Sequence, residues 1–555
     1  MKKTPRFYFI LQISLLTFFV LSSCNENNGK KQVSKIFHYN ESKNISTLDP
    51  AFARNQATIW PINQIFNGLI QLDDSLNIKP CIAKSWNISD DGKVYIFHLR
   101  KDVYFHDNIF FSKSKGRKVI ASDFEYSFNR LIDEKVASPG MWVFNSVDKI
   151  YKNSNNGFKA INDSTFAIYL KSPFPAFLGI LTTPYCFVVP KEVVEHYGRD
   201  FRSHPVGTGP FMFKLWVDGE KLVLVKNPNY FEKDNKGICL PRIDAVSITF
   251  IADKQSEFLE FIKGRIDFIS GVNASFKDEL ITKNGQLQPK YKNELKMLVC
   301  PYLNTEYIGI LAEKSNKTIA NSPVRDKNIR LAMNLAINKQ KMIAYLRNNI
   351  GFPANSGFIP KGMPGFSEKL VHGYMYNPDS ARKLLEIAGY QNGKGLKTIK
   401  IVTVSDYLDI CEFVQHELNQ VGINIEIEVV TGLSYREMLA NNRMEMFRAS
   451  WIADYADAEN YLSLFYSKNF SPNGPNYTHF KNIEFDKLYE QALTEKDNLK
   501  RMVYYNKMDQ IIINEANVIP LFYDVAIRFT HNWVYDLGIN PLNLLNLKYV
   551  KIEKK

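Results

Sequence analysis

Cysteine and histidine are scarce, at six and nine among 555 residues. Beyond Cys24 the cysteines are Cys81, Cys186, Cys239, Cys300 and Cys411, far apart and without a C-x-x-C pair. That excludes a disulfide framework and a cysteine-built zinc site. The expectation is buried free thiols, with one or two disulfides as the alternative in an oxidising compartment. No histidine has metal-ligand spacing, so no metal and no cofactor is expected. Catalytic motifs are missing as well. Gly207-Thr208-Gly209-Pro210-Phe211-Met212 begins like a dinucleotide fingerprint, but Met212 replaces the last glycine and Pro210 blocks the phosphate turn. Gly389 to Lys394 is one residue short of a P-loop, and His416-Glu417 lacks a second histidine. No G-x-S-x-G occurs. An exported hydrolase would need a nucleophile and base that are not found, so an enzyme is not expected. There is no internal repeat with a solenoid-like period and no low-complexity linker. Beyond the N-terminal segment no apolar run is long enough to span a membrane.

What is present is ample core material. Hydrophobic residues make up 45% and aromatics 13%, with 39 Phe and 29 Tyr, enough to bury several lobes and to rule out global disorder. The net charge is +13, but it is scattered. Its densest cluster, Lys113-Ser114-Lys115-Gly116-Arg117-Lys118, is expected to be a solvated loop, with no nucleic acid as partner. The N-terminus reads as a sorting signal. Lys2, Lys3 and Arg6 precede an apolar run from Phe7 to Leu21, shorter than the ~20 residues of a membrane span. Leu21-Ser22-Ser23-Cys24 resembles the lipobox of bacterial lipoproteins. Residues 1–23 are therefore expected to be a signal peptide, Cys24 the lipidated residue, and 24–35 a polar tether. The mature chain would be exported and lipid-anchored to a bacterial cell envelope, in the periplasm or at the cell surface.

Local patterns predict the main elements. Ile59, Ile62, Ile65, Phe66 and Leu69 suggest a helix over 58–72. Ser89-Asp90-Asp91-Gly92 is a turn inside a hairpin over 85–106. Ser122 or Asp123 is positioned to cap a helix through Leu131, and Ser322-Pro323 to start another. Gly207 and Gly209 suggest a turn with unusual backbone angles. Asn377-Pro378-Asp379 opens a helix that Gly389 ends. Strand 398–404, helix 409–421 and strand 423–430 form a β-α-β run that argues for parallel pairing. Residues 484–516 read as one helical stretch and 518–529 as a strand.

Taken in order, many of these segments resemble one family. They include Thr47-Leu48-Asp49-Pro50, Ala83-Lys84-Ser85-Trp86, Phe97-His98-Leu99-Arg100, Pro205-Val206-Gly207-Thr208-Gly209-Pro210-Phe211, Asn227-Pro228-Asn229-Tyr230 and Trp451 to Asp457. The family is the peptide-binding group of extracellular solute-binding lipoproteins that serve ABC importers. The resemblance spans roughly 36–545. It implies an α/β fold of two lobes, as in periplasmic binding proteins, with a central cleft, hinge crossings and an extra subdomain on the first lobe. Lobe one would comprise 36–72, 202–298 and 518–550, the subdomain 73–201 and lobe two 299–517.

The resemblance also places the binding chemistry in Arg448-Ala449-Ser450-Trp451-Ile452-Ala453-Asp454-Tyr455-Ala456-Asp457. Asp454 maps to the carboxylate that holds a peptide's α-ammonium, a charge-assisted contact that enclosure strengthens. Trp451 would be a flat apolar wall, or plain core. Arg448 would face the peptide carboxylate, or sit in a structural ion pair. Tyr455 belongs to the same run, and Asp457 is expected beside the ligand or in a structural contact. Trp142 would reach the ligand from the closing lobe. Main-chain groups would pair with the peptide as with an added strand. The partners implied are short peptides, the permease and ATPase subunits of an importer, and the membrane through Cys24, for a protein acting as a monomer. The alternatives are the same fold holding a metal chelate or an oligosaccharide, or a lipid-anchored adhesin or chaperone. Four positions depart from the family pattern: Phe66-Asn67-Gly68-Leu69 stands for Tyr-Glu-Gly-Leu, Asn108 for a glycine and Ala458 for a proline. Residues 109–118 look like an insertion.

Overall fold

The computed structural model describes residues 35–148, 157–273, 275–313 and 315–554. The segment expected to be a signal peptide, Cys24 and all but the last residue of the expected tether lie outside the described residues. Residues 36–555 form one compact unit. Its spine is an 11-stranded mixed sheet. The order is Ile425–Val429, Ile399–Thr403, Met446–Ile452, Leu295–Ile310, Val518–His531, Phe268–Ser270, Ile36–Asn40, Ala245–Thr249, Lys221–Lys226 and Phe211–Val217, with Phe352–Pro353 also on Val518–His531.

Two strands hold this sheet together. Leu295–Ile310 and Val518–His531 are 16 and 14 residues long and pair antiparallel nearly end to end. The register shifts between Pro301 and Thr305, where the ladder is interrupted. On one side of that break lie two apolar clusters drawn from Leu303 to Phe522. On the other side lie a large cluster around Phe37, Trp60, Phe124 and Phe268 and a smaller one around Phe261 and Phe529. This is a two-lobed α/β fold with both lobes strung on one pair of strands.

Most sequence expectations hold, and the exceptions have physical reasons. The β-α-β run is Ile399–Thr403, Leu408–Asn419 and Ile425–Val429, and its two strands pair parallel. The hairpin is Ala83–Ile88 with Val94–Leu99, and Gly92 takes the left-handed conformation at φ 75°. With Thr165–Tyr169 and Phe158–Asn162 these strands make a separate four-stranded antiparallel sheet, the additional layer on the first lobe.

The helix expected over 58–72 is Gln56–Ile65, and the chain then turns into a short strand, Ile70–Leu72. Neither Ser122 nor Asp123 is the N-cap of Ala121–Leu131. Asp123 instead reaches back to accept from the Ile120 N–H at 2.9 Å. Ser322-Pro323 opens only a single tight turn, and Asp326 caps the helix Lys327–Ala336 that follows. The stretch 484–516 is two helices, Ile483–Thr494 and Asn498–Glu515, because Asp497 takes the Leu499 N–H and starts the second.

Gly207 and Gly209 have no left-handed backbone. They are needed for close approach: a Cβ on Gly207 would lie 2.1 Å from the Ile65 carbonyl, at the end of Gln56–Ile65. The five described cysteines are free, with Cys239 exposed rather than buried. In the basic cluster, Arg117 is held by Asp123 and Glu192 and Lys115 by Asp107, which neutralises half of it. Asn67, one of the departures, bonds Thr208 and Tyr230 between the two segments that carry the glycines and the Asn-Pro-Asn-Tyr run.

Candidate ligand-binding site

The site grows from the end of one strand. Met446–Ile452 pairs antiparallel with Asn304–Ile310 along its whole length. Its other edge meets Ile399–Thr403 only at Met446 and Phe447. From Arg448 onward that edge carries no strand among the described residues, although the Tyr435 hydroxyl donates to the Arg448 carbonyl. Beyond Ile452 the chain bends and Glu459–Leu462 begins. Asp454 sits in the bend.

One buried side chain fixes the geometry there. The Asn460 Oδ1 accepts from the Trp451 indole N–H at 2.9 Å and from the Asp454 N–H at 3.2 Å, and its Nδ2 donates to Asp454 Oδ2 at 3.3 Å. Asn460 thus locks the indole, the bend and the carboxylate together. Among the described residues no cation pairs with Asp454. Solvent reaches its side chain, yet protein crowds around it, and this desolvation pushes its carboxyl above the ordinary aspartate range, with Asn460 acting in the opposite direction.

Three cavities run along this edge. One of about 400 Å³ is walled by Trp60, Trp142, Tyr185, Tyr302 and Trp451 and reaches Asp454. A second, of about 550 Å³, shares Trp142, Trp451 and Asp454 with it and adds Tyr455, Phe174 and Leu493. A third, of about 420 Å³, shares Tyr302, Ser450 and Ile452 with the first and holds Arg448 and Glu306. Asp454 therefore lies at the junction of the first two, and the free strand edge connects all three.

The six candidate residues divide. Trp142, Trp451 and Asp454 converge on the junction. Tyr455 is buried beside it, donating to Glu459, with its ring 6.2 Å from that of Trp142 and packed into the first-lobe cluster. Arg448 is buried in an ion pair with Glu306, under the ring of Tyr407. Burial pushes the Glu306 carboxyl up, and the Arg448 charge opposes this. Asp457 is consumed by structure: it accepts from the Tyr505 hydroxyl at 2.7 Å and the Glu459 N–H at 3.0 Å, and pairs with Arg501 at 3.1 Å. Sequence reasoning missed Asn460, Arg54, Tyr185 and Tyr302. Arg54 and Tyr185 reach the cavity from segments far from the Arg448 to Asp457 run in the chain, and Asn460 carries no motif of its own.

Among the described residues no cluster of three or more His, Cys, Asp or Glu has the placement to hold a metal ion. No described helix is long and apolar enough to cross a membrane.

Known proteins share this architecture. The chain is 24% identical to the dipeptide-binding protein DppE of Bacillus subtilis, over 96% of both chains. It is 26% identical to the periplasmic oligopeptide-binding protein OppA of Salmonella typhimurium, over 93% of this chain and 92% of that one. Among solved structures, the periplasmic binding protein DppA of Helicobacter pylori, in complex with the peptide STSA, superposes with a TM-score of 0.76 at 26% identity, covering 94% of this chain and 98% of its own. The family of bacterial extracellular solute-binding proteins, family 5, matches residues 77–473. With that match over more than half its length, on a two-lobed fold with a cleft at the lobe junction, the chain belongs to the family 5 extracellular solute-binding proteins.

Proposed function

We propose that this protein captures short peptides through their free N-terminus and main chain and delivers them to the permease of an ABC importer. The observation that carries this reading is the Asp454 carboxylate, oriented by Asn460 at the junction of two cavities and without a cation of its own. A carboxylate that is crowded by protein and has no cation of its own favours a positive partner. A peptide ammonium supplies one together with three hydrogen-bond donors. The unpaired edge after Phe447 leads from there along Ser450 and Ile452. An extended peptide can add to it as a strand while its side chains fill aromatic-walled space. Recognition of this kind reads termini and backbone and tolerates different side chains.

The rest of the reading follows the chain. Lobe one is assigned to 36–72, 202–298 and 518–550, its subdomain to 73–201 and lobe two to 299–517, except that Val518 to Phe522 pack into the clusters of lobe two. Closure would bend the two long strands where the register breaks between Pro301 and Thr305. Trp142 and Tyr455, from opposite lobes, already lie 6.2 Å apart between ring centres, so the cleft is closed at that point before any ligand enters. Export and lipidation at Cys24 would keep the protein at the membrane that holds the permease.

The test is a thermal-shift panel on protein stripped of bound ligand by unfolding and refolding. It compares di- to pentapeptides with oligosaccharides and metal chelates. Ligand at ~100 times its dissociation constant stabilises by about 2.7 kcal/mol. A shift with peptides alone supports the reading. A shift with a sugar or chelate and none with any peptide overturns it.

A further inference from the structure

The cavity of about 400 Å³ has two charged residues in its lining, Asp454 and Arg54. Arg54 has no hydrogen-bond or ion-pair partner for its guanidinium among the described residues, and it is exposed. Its backbone is nevertheless held firmly. The preceding turn, Pro50–Phe52, is capped by Asp49, which is itself clamped by Arg130 through two hydrogen bonds of 3.0 and 2.5 Å. The next residue, Asn55, caps Gln56–Ile65 by accepting from the Thr58 N–H at 3.1 Å. The start of that ten-residue helix lines the same cavity through Asn55 and Gln56, adding its positive end to the guanidinium. Across the cavity burial pushes the Tyr185 hydroxyl up, and both charges act on it as well, Asp454 raising it further and Arg54 lowering it.

Arg448, the arginine that the motif offers for a ligand carboxylate, already carries its own counter-charge. It is buried against Glu306 in the neighbouring cavity. The space next to Asp454 is thus complementary to a zwitterion: one open anion, one open cation, and neutral aromatic walls between them.

We infer that Arg54, at the start of the first lobe's Gln56–Ile65 helix, binds the terminal carboxylate of a peptide whose ammonium sits on Asp454, so that the site selects peptides short enough to keep both termini in one cavity. This rests on the peptide reading above. A guanidinium meets a carboxylate through two parallel hydrogen bonds, which gives directional as well as electrostatic selection. The two charges also come from different lobes, so a ligand that satisfies both bridges the cleft and favours closure.

The test is calorimetric titration of the full protein with dialanine, trialanine and pentaalanine, each as free acid and C-terminal amide. The same set is run on Arg54→Ala and Arg54→Lys, with thermal melting to confirm that each variant folds. The expected result is that amidation weakens dialanine or trialanine binding at least tenfold in the wild type. Arg54→Ala should bind the acids as weakly as the amides, Arg54→Lys should retain part of the discrimination, and pentaalanine should discriminate least. Equal binding of acid and amide by the wild type overturns the inference while leaving the peptide reading standing. Undiminished discrimination in Arg54→Ala overturns it too and moves the carboxylate to another cation. Failure of every free-acid peptide to bind overturns the peptide reading itself.

Discussion

Asp454 and Asp457 lie three residues apart in one bend, and the fold gives them opposite fates. Asp457 is surrounded by donors that are all its own: Tyr505, the Glu459 N–H and Arg501. Asp454 has only the Asn460 amide and faces open space. Saturating a buried acid makes it a brace, since its charge is cancelled and its lone pairs are spent. Asp454 is reached by solvent but crowded by protein, so its carboxylate is destabilised in the free protein and relieved when a ligand supplies the missing charge. Arg448 and Arg54 repeat the contrast with the opposite sign, one cancelled by Glu306 and one left open.

The sharpest way to break this comparison is to remove each acid in turn. Asp457→Ala leaves the Arg501 charge buried without its partner, and is expected to cost about 3–5 kcal/mol of folding stability. The check is the midpoint and slope of urea unfolding, with the slope unchanged. Asp454→Asn is expected to weaken free peptides by about 2–5 kcal/mol, the cost of removing one member of an enclosed charge pair. Its melting temperature should stay level or rise, because the folded state no longer holds an uncompensated carboxylate. A mutant that loses stability instead of affinity would make Asp454 a brace like its neighbour.

A smaller effect is expected from Asn460→Ala. It strips the Trp451 indole of its acceptor and frees the Asp454 carboxylate to rotate. Stability should fall by about 1–3 kcal/mol, and peptide affinity should fall as well while remaining measurable by titration.

The smallest effect is set by pH. Desolvation raises the Asp454 carboxyl in the free protein above its ordinary 3.8. A cationic ligand binds only the ionised form, so affinity is full above that raised value and lost as the pH falls through it. Affinity should fall again above about pH 8, where the ligand's own α-amino group deprotonates. Titrations across pH 4–9 should trace this profile for the wild type.

The parts of the fold that were legible in the sequence are those with local causes. Ile399–Thr403, Leu408–Asn419 and Ile425–Val429 each show their own period and end at a clear breaker, and all three formed where the pattern put them. Leu295–Ile310 was not legible as a strand, because Lys296, Pro301 and Tyr302 interrupt any alternation in its first half. Pairing with Val518–His531, a segment distant in the chain, makes it a strand. Gly207 and Gly209 looked like turn glycines, but the reason for them is the carbonyl of Ile65, which is invisible in the local sequence. The site divides in the same way. The run from Arg448 to Asp457 was readable only through family resemblance. Nothing in it distinguishes the open acid from the saturated one. That distinction comes from Tyr505 and Arg501 on one side and from the cavity on the other.

The most direct measurement is isothermal titration of trialanine and N-acetyl-trialanine into the stripped protein at pH 7, repeated with Asp454→Asn. The account predicts that acetylation abolishes binding to the wild type, and that the variant binds neither peptide appreciably. Equal affinity for both peptides in the wild type, or full affinity of Asp454→Asn for the free peptide, would contradict the claim that the open carboxylate is the ammonium site.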